Sequence, residues 1–199
     1  MFLPQTLVCF LQYLKVKLCM LFLPMAQEEI DRAIQRAGIA DSDEIRLRLE
    51  DSQLPDEVDV LLDMERESLF DLNALAQAAN GLSDSDINKL GTVVALAKPQ
   101  TAAQIKNLVE NLDLFDFAPG AHTPEEYGKY MIRQSGHFDY DENLDEFYDY
   151  AKYGVERMNE ENGMFTDRGY IAYNGDISME EVMESGQTDR MGFQMGGLT

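Results

Sequence analysis

The segment DYDENLDEFYDY, residues Asp139 to Tyr150, concentrates negative charge among aromatic side chains and contains no basic residue. On a helix, Asp141, Asp145 and Asp149 would share one face at positions i, i+4 and i+8, about 6 Å apart. Neighbouring like charges oppose a helix by roughly 0.2–0.5 kcal/mol per pair, so the other face must pack against a core. The pattern predicts an acidic helix that the rest of the chain supports. Its six carboxylates are Asp139, Asp141, Glu142, Asp145, Glu146 and Asp149.

The whole chain is strongly acidic, with 37 acids against 16 bases and a net charge of −21 over 199 residues. Leu, Ile, Val and Phe make up 51 residues, about 26%, which exceeds the roughly 20% that marks disordered chains. Two acidic blocks, residues 28–79 (net −10) and 109–199 (net −14), flank a nearly neutral middle. Such a surface repels nucleic acid and anionic lipid and attracts basic partners. We therefore expect neither direct nucleic-acid binding nor membrane binding.

The N-terminal segment, residues 1–20, is apolar and holds both cysteines, Cys9 and Cys19. Two cysteines at this spacing form neither a disulfide framework nor a metal site, which favours a cytoplasmic protein. The uncharged run ends after about 14 residues, short of the 18 or more that a membrane span needs. Apolar residues alternating with Lys15 and Lys17 predict a strand, although a cleaved signal or anchor stays open as an alternative.

Periodicity and capping residues predict an α+β fold that divides into successive parts along the chain. An N-terminal α+β domain, residues 21–66, should contain a helix that ends at Gly38 and a half-buried strand at residues 44–49. A central helical domain, residues 67–111, has three helix starts at Ser68, Ser83 and Thr101, the last with a capping box to Gln104.

A C-terminal acidic α+β domain is predicted for residues 112–176, followed by a flexible tail at residues 177–199. Strands are expected at residues 112–117 and 169–175, and Thr123 with Pro124 begins a helix that should end at Gly136. Only one weak helical stretch, residues 179–183, interrupts the predicted tail.

No catalytic, metal or cofactor site is predicted, so the chain is not expected to be an enzyme. His122 and His137 have no nucleophile motif near them, and phosphate-binding glycine loops are absent from the sequence. Residues 139–150 match the first ligands of a calcium loop, but Leu144 replaces its glycine and Tyr150 its final glutamate. Paired carboxylates of glycoside hydrolases and a merely solvating acidic surface stay open as alternatives.

Four stretches together resemble the ArdA antirestriction proteins carried by plasmids, phages and conjugative elements. The resemblance runs from about Leu21 to Gly175. It implies an elongated, usually dimeric protein of three small domains that mimics bent B-form DNA and occupies the DNA groove of type I restriction–modification enzymes. The stretches are LFDLNALA (69–76), LDLFDFAPGAHTPEEYGKYMI (112–132), FDYDENLDEFYDYAKYG (138–154) and FTDRGYIAYNG (165–175). Residues 1–18 and the length of the tail depart from the family pattern.

The resemblance assigns the mimicry to the acids of residues 139–149 named above. A weaker second set comes from the same block: Glu125, Glu126, Glu156, Glu160 and Glu161. Spaced carboxylates can engage the cations with which an enzyme neutralises DNA phosphates. The expected partner is a type I restriction–modification enzyme in the bacterial cytoplasm, bound by a homodimer. A CRISPR nuclease as the target and a generic module for basic proteins stay open as alternatives.

Overall fold

The computed structural model describes residues 7–13, 17–40 and 45–185. The fold is α+β, as the periodicity predicted. Its first sheet is antiparallel with strand order β2-β1-β3, and Cys9 of the central strand lies between Leu21 and Leu49. The N-terminal apolar segment therefore contributes two antiparallel strands, where the sequence predicted one. The strands are Leu7–Tyr13 (β1), Lys17–Leu23 (β2) and Ile45–Ser52 (β3).

Five helices lie in residues 27–109, and all but the second were predicted from local signals. The predicted caps are present: Ser68 Oγ accepts from the backbone N–H of Asp71 at 3.0 Å, and Ser83 forms a capping box with Asp86. Thr101 also caps its helix, but the Gln104 side chain accepts from Gln100 N, so the capping box predicted there is only half formed. The helices are Gln27–Arg36 (α1), Asp56–Leu61 (α2), Leu69–Ala79 (α3), Asp84–Ala97 (α4) and Ala102–Val109 (α5).

The second sheet is also antiparallel, with strand order β4-β6-β5. The strand predicted at residues 112–117 begins later, because Leu112–Leu114 forms a 3-10 helix. Two helices pack closely beside this sheet: a Cβ at Gly128 would lie 2.1 Å from Tyr150 O, and one at Gly154 would lie 1.8 Å from Pro124 O. The elements are Phe115–Pro119 (β4), Pro124–Arg133 (α6), Tyr150–Glu160 (α7), Asn162–Thr166 (β5) and Gly169–Tyr173 (β6).

Residues 139–150 do not form the predicted acidic α-helix. A 3-10 helix spans Glu142–Phe147, and α7 begins only at Tyr150. Asp141 Oδ1 accepts from Asn143 N at 2.9 Å, and Asp149 Oδ1 accepts from Lys152 N at 3.0 Å. Both aspartates thus cap helix starts, because short acidic side chains bond nearby backbone N–H groups in competition with an α-helix. The single stripe of Asp141, Asp145 and Asp149 was a wrong prediction.

The weak helical stretch predicted at residues 179–183 is present as a helix. Met179–Ser185 (α8) packs on α5: Val182 is buried, and Asn107 Nδ2 donates to Met183 O at 2.7 Å. The rest of the tail, residues 186–199, lies outside the described residues.

Two groups of buried side chains form the core. The larger one joins the first sheet, α3 to α5 and part of the second sheet, and the smaller one fills the space between α6, α7 and the second sheet around Tyr127 and Tyr170. The division into three domains stays a prediction. Within the described ranges, no helix combines the length and the apolar character needed to cross a membrane.

Candidate functional site

The predicted mimic acids separate into exposed and internally bonded carboxylates. Asp145 is half-buried, the side chain of Glu161 is almost fully buried, and both bond to cations and tyrosines of this chain. The other nine are exposed, and we call them the acidic surface. They are Asp139, Asp141, Glu142, Glu146, Asp149, Glu125, Glu126, Glu156 and Glu160.

Asp145 is the centre of a polar cluster that ties the 3-10 helix to α6 and α7. Arg133 Nε donates to its Oδ1 at 3.0 Å, Arg133 Nη2 donates to Oδ2, and the Tyr140 hydroxyl donates to Oδ1 at 2.7 Å. The Tyr150 hydroxyl also donates to Oδ1. The Arg133 guanidinium lies over both rings, 5.6 Å from the centroid of Tyr140 and 5.3 Å from that of Tyr150. Asp145 therefore neutralises a cation of its own chain.

The protonation states in this cluster follow from these bonds. The Arg133 guanidinium, aided by the Tyr150 and Tyr140 hydroxyls, holds the pKa of Asp145 well below its usual range. In turn, the bond to Asp145 raises the pKa of Arg133 and raises the pKa of Tyr140 to about 12. At neutral pH the Asp145 carboxylate and the Arg133 guanidinium are both charged and compensate each other, so this pair adds no net charge to the surface.

Glu161 forms a second internal cluster, at the end of α7. The Tyr127 hydroxyl donates to its Oε2 at 2.7 Å, and Arg157 Nη2 lies 2.6 Å from its Oε1. The ring of Tyr170 packs on that of Tyr127, with 4.3 Å between centroids. Burial and the Glu161 carboxylate raise the pKa of Tyr127, and the same causes raise the pKa of Tyr170 to about 12.

Several members of the acidic surface have local partners and still keep their charge exposed. Glu126 accepts from the backbone N–H of His122 at 2.8 Å, and this bond lowers the pKa of Glu126. Glu156 lies 3.9 Å from Lys152 Nζ in an exposed pair, which contributes little to stability. Caps and exposed pairs of this kind leave the carboxylates accessible to a partner.

Sequence reasoning missed the partners within the two clusters. Arg133 and Arg157 are two of only six bases in residues 109–199, against 20 acids. Because bases are so few in this block, each one has several carboxylates near it in sequence. This imbalance could have indicated that the arginines pair with carboxylates inside the fold. The pairing itself depends on contacts between distant parts of the chain, which periodicity does not reveal.

Neither histidine belongs to a catalytic arrangement among the described residues. His122 is exposed beside the start of α6. His137 Nδ1 lies 3.0 Å from Ser135 Oγ at the edge of a cavity of about 210 Å³ between β4 and α6. Burial lowers the pKa of Lys89, which also lines this cavity. In residues 7–13, 17–40 and 45–185, no group of three histidine, cysteine or carboxylate side chains could hold a metal ion.

The fold and this surface define an acidic α+β protein. Its arginines near the surface, Arg133 and Arg157, pair with the internal carboxylates Asp145 and Glu161, and the remaining carboxylates are exposed. The model of the antirestriction protein (ArdA) family matches residues 20–172, well over half of the chain. The chain belongs to the ArdA antirestriction family. Membership implies antirestriction activity, and hence binding to restriction–modification enzymes in general. Proteins of this family are inhibitors and are not known as enzymes. A search of curated proteins returned no match.

Proposed function

We propose that this protein inhibits type I restriction–modification enzymes by placing its acidic surface in their DNA-binding groove, as a mimic of the phosphate backbone. The observation that carries the proposal is the division of charge described above. Residues 123–161 contain eleven acids and four bases, and both arginines among them form ion pairs with the internal carboxylates Asp145 and Glu161. The nine exposed carboxylates then face solvent with little compensation from cations.

Electrostatics explains how such a surface competes with DNA. A protein that binds duplex DNA lines its groove with Lys and Arg and gains affinity by neutralising phosphates. Carboxylates held on a folded body can engage the same cations without base contacts and without chemistry. The inhibitor then acts in the bacterial cytoplasm, where the enzyme meets incoming mobile DNA. It needs neither a cofactor nor nucleic acid.

Dimerisation and elongation belong to this proposal through the family resemblance. A homodimer would present two copies of the acidic surface and would lengthen the region of DNA that is imitated. Light scattering tests this directly, because each chain has a mass of 22.6 kDa. A measured mass near twice that value supports the dimer, and a mass near one chain at micromolar concentration contradicts it.

The test of the function is displacement of fluorescent duplex DNA from a purified type I methyltransferase core. Native protein should displace the DNA. A variant with Asp141→Asn, Glu142→Gln, Glu146→Gln and Asp149→Asn should displace it about thirtyfold less well, if each exposed charge contributes about 0.5 kcal/mol. Asparagine retains the two helix caps, because it is as good an N-cap as aspartate.

A matched control loses four exposed charges elsewhere: Asp167→Asn, Asp176→Asn, Glu180→Gln and Glu184→Gln. It should retain displacement close to the native level. An equal loss of DNA displacement in both variants would show that inhibition depends on the total charge of the protein and not on the acidic surface. Failure of the native protein to displace DNA would reject the type I target and favour a CRISPR nuclease or a general module for basic proteins.

A further inference from the structure

Arg168 connects three elements that are distant in sequence. It lies in the turn between β5 and β6, where its Nε donates to Glu57 Oε1 at 2.8 Å and its Nη2 donates to Glu57 Oε2 at 2.9 Å. Its Nη1 donates to Asn88 Oδ1 at 3.0 Å. Glu57 belongs to α2 and Asn88 to α4, so one guanidinium joins two helices to the second sheet. We call these three residues the Arg168 clamp.

The surroundings of Arg168 hold it in this position. Gly91 of α4 lies directly beside the paired groups, because a Cβ there would be 2.7 Å from Arg168 Nε and 2.9 Å from Glu57 Oε2. The backbone is fixed as well: Arg168 N donates to Thr166 Oγ1 at 3.2 Å, and Gly120 N donates to Arg168 O at 2.9 Å. A bidentate guanidinium–carboxylate pair also sets orientation, which a lysine could not do.

The clamp joins the two acidic blocks of the chain. Glu57 lies in the block of residues 28–79, among the exposed carboxylates of Asp51, Asp56 and Asp63, and Arg168 lies in the block of residues 109–199. We propose that Arg168 is a positioning residue, which holds α2 and its neighbouring carboxylates at a fixed place relative to the C-terminal acidic surface. This inference rests on the proposed function, because fixed spacing matters to a partner whose cations are themselves fixed.

The charge of Arg168 and its contacts predict opposite effects on binding when Arg168 is replaced. Arg168→Gln removes a cation and changes the net charge from −21 to −22, so a purely electrostatic mimic should bind a basic groove equally well or better. Loss of the clamp instead frees α2 to move, and a surface that must be ordered on binding loses affinity. Reduced potency in a more acidic variant is therefore evidence for the positioning role.

The first measurement is DNA displacement by Arg168→Gln, with Arg66→Gln as the control. Arg66 is also an arginine near a carboxylate, but its side chain is 84% exposed, and its loss gives the same net charge. We expect Arg168→Gln to be about tenfold weaker than native and Arg66→Gln to be at least as strong as native. The exchanged pair Glu57→Arg with Arg168→Glu keeps the net charge at −21 and should recover most of the potency. Equal potency of Arg168→Gln and Arg66→Gln would overturn the positioning role.

The second measurement needs no partner. Spin labels are attached to Val60→Cys in α2 and to Asn159→Cys in α7, which are both exposed positions. The two native cysteines are first replaced by Cys9→Ala and Cys19→Ala. The labels then report the distance between α2 and α7. Arg168→Gln should broaden the distance distribution, and the exchanged pair should narrow it again. An unchanged distribution in Arg168→Gln would overturn the clamp. If native protein displaces no DNA, the proposed function fails, and the distances still decide whether Arg168 holds α2 in place.

Discussion

The Tyr127 hydroxyl donates a 2.7 Å hydrogen bond to the Glu161 carboxylate, 34 residues further along the chain. Tyr127 lies on α6 and Glu161 directly follows α7, so the bond ties the two helices together where Arg157 also meets the carboxylate. Only 5% of the Glu161 side chain is exposed. Glu161 therefore acts within the fold, although its sequence context places it among the mimic acids.

Replacing Glu161 should cost stability, whereas replacing its exposed neighbour should not. Glu161→Gln leaves Arg157 without its carboxylate, and we expect the free energy of unfolding to fall by about 2 kcal/mol, since Arg157 is still 34% exposed. Glu160→Gln removes the same charge from the surface and should stay within about 0.5 kcal/mol of native. Urea unfolding of both variants measures the difference. Equal stabilities would show that the internal pair contributes nothing.

Asp145 should make stability depend on pH in the acidic range. Its pKa in the folded protein is held below the value of about 4 that an aspartate has when unfolded, because Arg133 and two tyrosines bond to the carboxylate. The unfolded chain then takes up the proton first, so this contribution is complete above about pH 4 and declines as the pH falls further. Urea unfolding at a series of pH values should show the advantage of native protein over Asp145→Asn shrinking on acidification.

Tyr140→Phe is the control for that pH dependence. It removes one hydrogen bond to Asp145 and leaves the ion pair with Arg133 intact, so most of the native pH dependence should remain. If native protein and Asp145→Asn lost stability in parallel over the whole range, the assignment of this dependence to the Arg133 pair would be wrong.

The helix starts could be predicted because capping chemistry is local. Ser68, Ser83, Thr101 and Thr123 each bond a backbone N–H three residues ahead, which is an interaction that the sequence states directly. The alternating residues from Ile45 likewise indicated β3. The α+β class follows from these local signals, since they separate helical from extended segments before any tertiary contact is known.

The candidate site was only partly predictable because its decisive contacts are not local. Arg133 reaches Asp145 across 12 residues, and Arg168 reaches Glu57 across 111. Within residues 139–150, the carboxylate spacing suited an α-helix, but caps at Asp141 and Asp149 divided the segment. Composition could locate the acidic block. It could not distinguish a carboxylate that faces solvent from one that neutralises an internal arginine.

Helix α8 packs on α5 and places Val182 in the core, so α8 should stabilise the fold. Val182 is 2% exposed, so Val182→Ala should lower the free energy of unfolding by about 2 kcal/mol through lost burial and the cavity left behind. Glu180→Ala, on the exposed side of the same helix, should have little effect. Thermal unfolding compares the two variants. A Val182→Ala protein as stable as Glu180→Ala would show that α8 does not stabilise the fold in solution.

Salt should distinguish binding through the acidic surface from binding through apolar contacts. Exposed charges at an interface are screened by ions, so raising the salt from about 50 to about 200 mM should weaken binding to the methyltransferase core at least about tenfold. The variant that lacks the charges of Asp141, Glu142, Glu146 and Asp149 should show a shallower dependence, because fewer interfacial pairs are left to screen. The control with four charges removed at Asp167, Asp176, Glu180 and Glu184 should keep the native dependence. Affinity measured by calorimetry at several salt concentrations gives each slope, and a native affinity independent of salt would contradict charge mimicry as the mechanism.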